Sequence, residues 1–79
     1  MSELLSKIES RKLPDPDERI RLRKAFQLSQ REVAEELGVT VITLRAWETG
    51  RTHPRSAKRE QYARLLRRLR QLEQEGQAS

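Results

Sequence analysis

Leu28-Ser-Gln-Arg-Glu-Val-Ala-Glu-Glu-Leu-Gly-Val-Thr-Val-Ile-Thr-Leu-Arg-Ala-Trp-Glu-Thr-Gly50 is the stretch that decides the fold. Ser29 followed by Glu32 is a capping box, in which each side chain bonds an amide that the first helical turn leaves bare. Val33, Ala34 and Leu37 recur at helical spacing and predict a short helix over 29–37 with one buried stripe. Gly38 ends it, because the residue just past a helix end favours the left-handed conformation, which glycine adopts without steric cost. Val39 reads as an apolar plug in the turn. Thr40 caps the next helix, in which Leu44 and Trp47 face inward, and Gly50 ends that helix. Ala34 is small enough to let the second helix pack closely on the first.

Working outward, Asp15-Pro16-Asp17-Glu18 predicts another helix start. Asp15 can cap, Pro16 suits the first helical position and Glu18 can complete a capping box. That helix should run to about Phe26 or Gln27. Further upstream, Leu4, Leu5 and Ile8 share one face of a short helix over 2–11, which would need a surface to dock on. Downstream, residues 51–54 form a basic loop and a last helix should span 56–73, with Tyr62, Leu65, Leu66, Leu69 and Leu72 on one side. No strand is expected, so the fold class is all-α, a small bundle of four to five helices. The expected organisation is an N-terminal arm over 1–14, a domain over 15–72 with an extended C-terminal helix, and a flexible tail over 73–79.

Composition narrows the function. Seventy-nine residues make one domain with a modest core. The absence of cysteine excludes a disulfide staple, a thiolate zinc site and a cysteine nucleophile. Net charge is +5 and pI about 10.4. The excess is uneven: residues 51–70 hold eight bases and one acid, Glu60. Such density points to a polyanion, nucleic acid first and an anionic membrane surface second. No apolar run approaches the roughly 18 residues a membrane span needs. Residues 1–13 lack an apolar stretch suited to a secretory signal, and a cytoplasmic, nucleoid location is expected.

Two short helices joined by a tight turn leave the first turns of the second helix exposed, able to enter a major groove. Leu-Ser-Gln at 28–30, Val-Ala at 33–34, Leu-Gly-Val-Thr at 37–40, Trp-Glu-Thr-Gly at 47–50 and the following Pro54 resemble the helix-turn-helix family of phage Cro and repressor proteins and their bacterial relatives, the XRE-like family with a lambda-repressor-like fold. The resemblance covers about residues 17–70. It implies sequence-specific binding of double-stranded DNA by a transcriptional regulator, a repressor, with the helix 40–49 in the major groove. It places Val41, Ile42, Thr43, Arg45 and Ala46 toward the bases. It gives Gln30, Arg31, Thr40, Arg51, Thr52 and Arg55 to the DNA backbone, with main-chain amides after Gly50 beside them. Gln30 would touch a phosphate or brace a base-reading side chain. It also implies an ion pair between Arg23 and Glu48. The family's usual short fifth helix after a break is absent here, since the chain continues as charged helix with no glycine until Gly76.

The groove-facing chemistry is unusual. Val41 and Ile42 cannot read hydrogen-bond patterns, but aliphatic groups can contact the thymine methyl. Arg45 can pair with guanine or hold a phosphate, and base reading is expected. Trp47 and Tyr62 read as core. His53 stands alone, so no metal is expected, nor any cofactor. Ser29, Glu32 and His53 lack the spacing of a hydrolase, and no enzyme is expected. Glu35 and Glu36 read as a solvated face. Arg64, Arg67, Arg68 and Arg70 divide between solubility and DNA. Tyr62, Leu65, Leu69 and Leu72 recur at intervals of three, four and three, the spacing of a coiled-coil seam. They suggest a weak homodimer on a palindromic site, with Leu66 packed inward. Two other readings stand: an antitoxin or recombination-accessory module with an unknown protein partner, and an RNA-binding or protein-interaction bundle. The latter lacks the exposed aromatics that single-strand recognition uses.

Overall fold

Capping and periodicity place five helices among the described residues, 3–10 and 12–78, of the computed structural model. They are α1 (Glu3–Ser10), α2 (Pro16–Ala25), α3 (Gln30–Leu37), α4 (Val41–Glu48) and α5 (Ser56–Ala78). Helix α3 packs on α4, α2 packs on α4 and α5, and α5 closes the bundle against α3 and α1. The core takes Leu22 from α2, Val33, Ala34 and Leu37 from α3, Leu44 and Trp47 from α4, and Tyr62, Leu66 and Leu69 from α5. Trp47 and Tyr62 form a tilted ring pair with centroids 5.4 Å apart. Burial, and then the Glu48 carboxylate, push the Tyr62 hydroxyl up to about 12.

The helix ends follow one pattern. Helix α3 has its capping box: the Ser29 hydroxyl accepts from the Glu32 amide at 3.0 Å, and Glu32 accepts from the Ser29 amide at 2.8 Å. Its end is left-handed at Gly38, with the Val39 amide bonded to the Ala34 carbonyl at 2.9 Å. Helix α4 ends likewise at Gly50, with the Arg51 amide on the Ala46 carbonyl at 3.0 Å. Helix α2 ends the same way, with the Leu28 amide on the Arg23 carbonyl at 3.1 Å, but Gln27 holds the left-handed position at φ 56°. These six-residue closures satisfy carbonyls that each last turn leaves bare.

Four expectations change. Asp15 makes no side-chain cap and Glu18 completes no box, because Glu18 turns instead to Arg21 and Arg70. Helix α5 continues to Ala78, where the sequence reading placed a flexible tail from residue 73. Within that extension, Glu73 pairs with Arg21 of α2. Tyr62 and Leu69 do not form a seam for a partner, since both are buried in the domain's own core. Leu66 is buried beside them, while Leu65 is half-buried and Leu72 exposed. Helix α1 forms within the predicted 2–11, whose end residues lie outside the described ones. It lies by α5, with Leu4, Leu5 and Ile8 largely exposed.

Candidate nucleic-acid interface

Helix α4 begins at Thr40, whose hydroxyl oxygen accepts from the Thr43 amide at 3.1 Å and whose O–H donates to the Thr43 hydroxyl at 2.9 Å. On the inner side Leu44, Trp47 and Glu48 are buried. On the outer side Ile42 is 77% exposed, and Arg45 and Thr49 are exposed with it. Residues three and four apart share a helix face, so Ile42, Arg45 and Thr49 form one outward row. Thr43 and Ala46 lie half-buried beside it. Val41 does not belong to that row. It is half-buried and packs against the core, because the first turn of α4 turns it toward the bundle. Thr49 was absent from the sequence reading, although its spacing from Arg45 was the available signal.

The orientation of α4 is set by Glu48, only 2% exposed. Arg23 grips its carboxylate with two donors, Nε to Oε2 at 2.6 Å and Nη2 to Oε1 at 3.0 Å. Gln30 Nε2 donates to the same Oε1 at 3.0 Å, and Arg23 Nη1 donates to the Leu28 carbonyl at 2.9 Å. One carboxylate thus ties the last turn of α4 to α2 and to the first turn of α3. Gln30 is bonded to this scaffold glutamate rather than to a residue of the outward row.

Two further braces were not foreseen. Arg19, buried, donates from Nε to the Pro14 carbonyl at 2.7 Å and from Nη1 to the Trp47 carbonyl at 3.0 Å. Burial lowers its pKa from the usual arginine value. Lys58 donates to the Leu37 carbonyl at 2.5 Å, closing the C-terminal end of α3 from α5. The sequence signal for Arg19 was its place with Leu22, Arg23 and Phe26 on the inward face of α2. Nothing local signalled Lys58.

The loop after α4 presents Arg51, Thr52, His53 and Arg55 as exposed side chains around buried Pro54. The main-chain amides of Arg51 and Thr52 are not available to a phosphate, because both bond the Ala46 carbonyl, at 3.0 and 3.4 Å. Arg31, exposed in the first turn of α3, supplies a further cation.

A short capped helix, a glycine turn and a second helix carrying an outward row on a locked inner face define a DNA-binding helix-turn-helix domain. The chain belongs to the Cro/C1-type, XRE-like helix-turn-helix family, whose model matches residues 20–72. No curated protein and no solved structure matched the chain in the same comparisons. Among the described residues, no helix is long and apolar enough to cross a membrane.

Proposed function

We propose that this DNA-binding domain is a sequence-specific transcriptional repressor that lays the first turns of α4 in the major groove. The observation that carries the reading is the outward row of Ile42 and Arg45 on a helix whose inner face is fixed by Leu44, Trp47 and Glu48. Such rigidity suits recognition, since a base-reading group must be held in register with the base edge. Arg45 reaches a guanine through two donors, and Ile42 meets a thymine methyl. Arg31, Thr40, Arg51, Thr52 and Arg55 hold phosphates, which position the protein without reading sequence.

The test is selection of bound duplexes from a random pool, followed by binding of two variants to the selected site and to scrambled DNA. Arg45→Ala relaxes preference at one guanine, at a cost of about 1–3 kcal/mol on the selected site. Arg51→Ala weakens both duplexes about equally. Identical behaviour of the two variants would remove the assignment of roles, and a pool that yields no common sequence would remove the reading itself.

A further inference from the structure

We infer that the cleft between α5 and the segment joining α1 to α2 is a binding site for a small organic anion, a charged head on a short apolar body. The floor of the cleft is apolar, with Leu13 and Pro14 from the segment and Ala63 and Leu66 from α5. Three cations rim it, Lys12, Arg67 and Arg70, and among the described residues no carboxylate lines it. The α5 residues recur at intervals of three, one and three, so they share one helix face. The cleft holds about 270 Å³. About 150 Å³ is enough for a benzene ring, so a single ring or a short aliphatic chain fits on the floor with its head at the rim.

The apolar walls are fixed without a ligand. Ala63 and Leu66 are each 3% exposed and held in the interior of α5. Pro14 has its φ set by its own ring, and its carbonyl accepts from Arg19 Nε at 2.7 Å. A ligand that enters such a cleft orders little of the protein, which lowers the cost of binding. The cations are not consumed by the fold. Lys12 and Arg67 are exposed and make no ion pair among the described residues. Arg70 gives Glu18 one donor, Nη2 at 3.1 Å, and keeps the rest of its fork. Three like charges around one concavity raise its potential and favour an anion. Exposed cations alone hold an anion weakly, and the apolar floor supplies the selectivity for a body behind the head. No residue of α3, α4 or the loop after α4 lines the cleft, so it stands apart from the groups that face DNA.

The experiment is calorimetric titration of the full chain with four probes: phenyl phosphate, benzoate, inorganic phosphate and benzyl alcohol. Phenyl phosphate and benzoate saturate one site, and whichever binds more tightly identifies the head as phosphate or carboxylate. Inorganic phosphate, which has no body, and benzyl alcohol, which has no charge, each bind about tenfold more weakly or worse than the tighter aromatic anion. Lys12→Gln with Arg67→Gln lowers that affinity by about tenfold or more. Arg64→Gln with Arg68→Gln removes the same charge from the α3 side of α5 and leaves the affinity within about twofold. All four positions are exposed, and circular dichroism verifies that each variant is folded. The two double variants also bind duplex DNA alike. Four results would each overturn the proposal: no saturable binding of either aromatic anion, inorganic phosphate binding as tightly as phenyl phosphate, equal losses from the two double variants, or a Lys12–Arg67 variant that loses more DNA affinity than the Arg64–Arg68 variant. The last would assign those cations to the DNA backbone instead.

Discussion

At the scale of the residue, Glu48 concentrates more structural consequence than any base-facing side chain. It is a buried anion with three donors, two from Arg23 and one from Gln30. Two exposed charges in its place would be worth under about 1 kcal/mol. Removing one partner of a buried pair instead leaves the other desolvated, at about 3–5 kcal/mol. Small domains have total stabilities of about 5–15 kcal/mol, so Glu48→Ala is expected to bring this one close to unfolding, read as a fall in the urea midpoint. Loss of DNA affinity follows, because α4 loses its tie to α2 and α3. Ile42 is the converse case, being exposed and of little weight in folding. Replacing thymine by uracil at the position proposed for its contact is expected to weaken binding by on the order of 1 kcal/mol. Ile42→Ala should abolish that difference between the two duplexes, as titration of each would show. A thymine effect that persists in Ile42→Ala would assign the methyl contact elsewhere.

At the scale of the element, three consecutive helices close with the same six-residue bond, and only α2 does so without glycine. An L-residue in the left-handed region costs roughly 1–2 kcal/mol of strain, partly offset for glycine by its greater freedom in the unfolded chain. Gln27→Gly is therefore expected to raise stability by about 0.5–1 kcal/mol, visible as a higher melting temperature. Gly38→Ala should lower it, since an added Cβ adopts the same strained φ and stands 3.0 Å from Lys58 Nζ, which holds the Leu37 carbonyl. The contrast also shows what was legible in the sequence. Capping and glycine signals for α3 and α4 are local, and those elements stand where Ser29, Gly38, Thr40 and Gly50 place them. The close of α2 lacked its usual residue, so its end could be placed but not its geometry. The inward side of Tyr62 and Leu69 could not be separated from a seam by spacing alone, because core and coiled coil share one periodicity. Arg19 and Lys58 bond carbonyls 28 and 21 residues away, so even where spacing turns Arg19 inward, the partner itself leaves no mark in the neighbouring sequence. The same holds for Glu18, whose capping pattern was outcompeted by two arginines brought near by the fold.

At the scale of the whole molecule, charge is sorted rather than spread. The bases concentrated over residues 51–70 favour a polyanion, and the affinity for DNA should fall with salt at a log–log slope of about −0.9 per phosphate neutralised. Arg51→Ala should reduce that slope by about one unit, measured as binding constants across a salt series. A second sorting holds the distal half of α5 to the domain. Glu18 and Arg21 of α2 alternate with Glu73 and Arg70 of α5, with Arg21 bonded to both Glu73 oxygens at 2.9 and 3.0 Å and Arg70 to Glu18 at 3.1 Å. The Arg21 guanidinium, and then that of Arg70, hold the Glu18 carboxyl at about 2, below its usual 4.5, and Arg21 lowers Glu73 in the same sense. A carboxylate whose pKa falls on folding stabilises the native state while it is ionised. That contribution is fully present above about pH 5 and is lost as pH falls from about 4.5 through 2. The native chain should therefore lose melting temperature over that acid interval. Glu18→Gln is expected to start lower at neutral pH, having no charge to offer Arg21 and Arg70, and to lose less on acidification. High salt should narrow the gap between the two proteins at neutral pH, because the clasp is partly exposed and screened. Equal acid-side slopes for the native chain and Glu18→Gln would mean that the clasp forms without stabilising, and that α5 is held by its core residues, Tyr62, Leu66 and Leu69 among them.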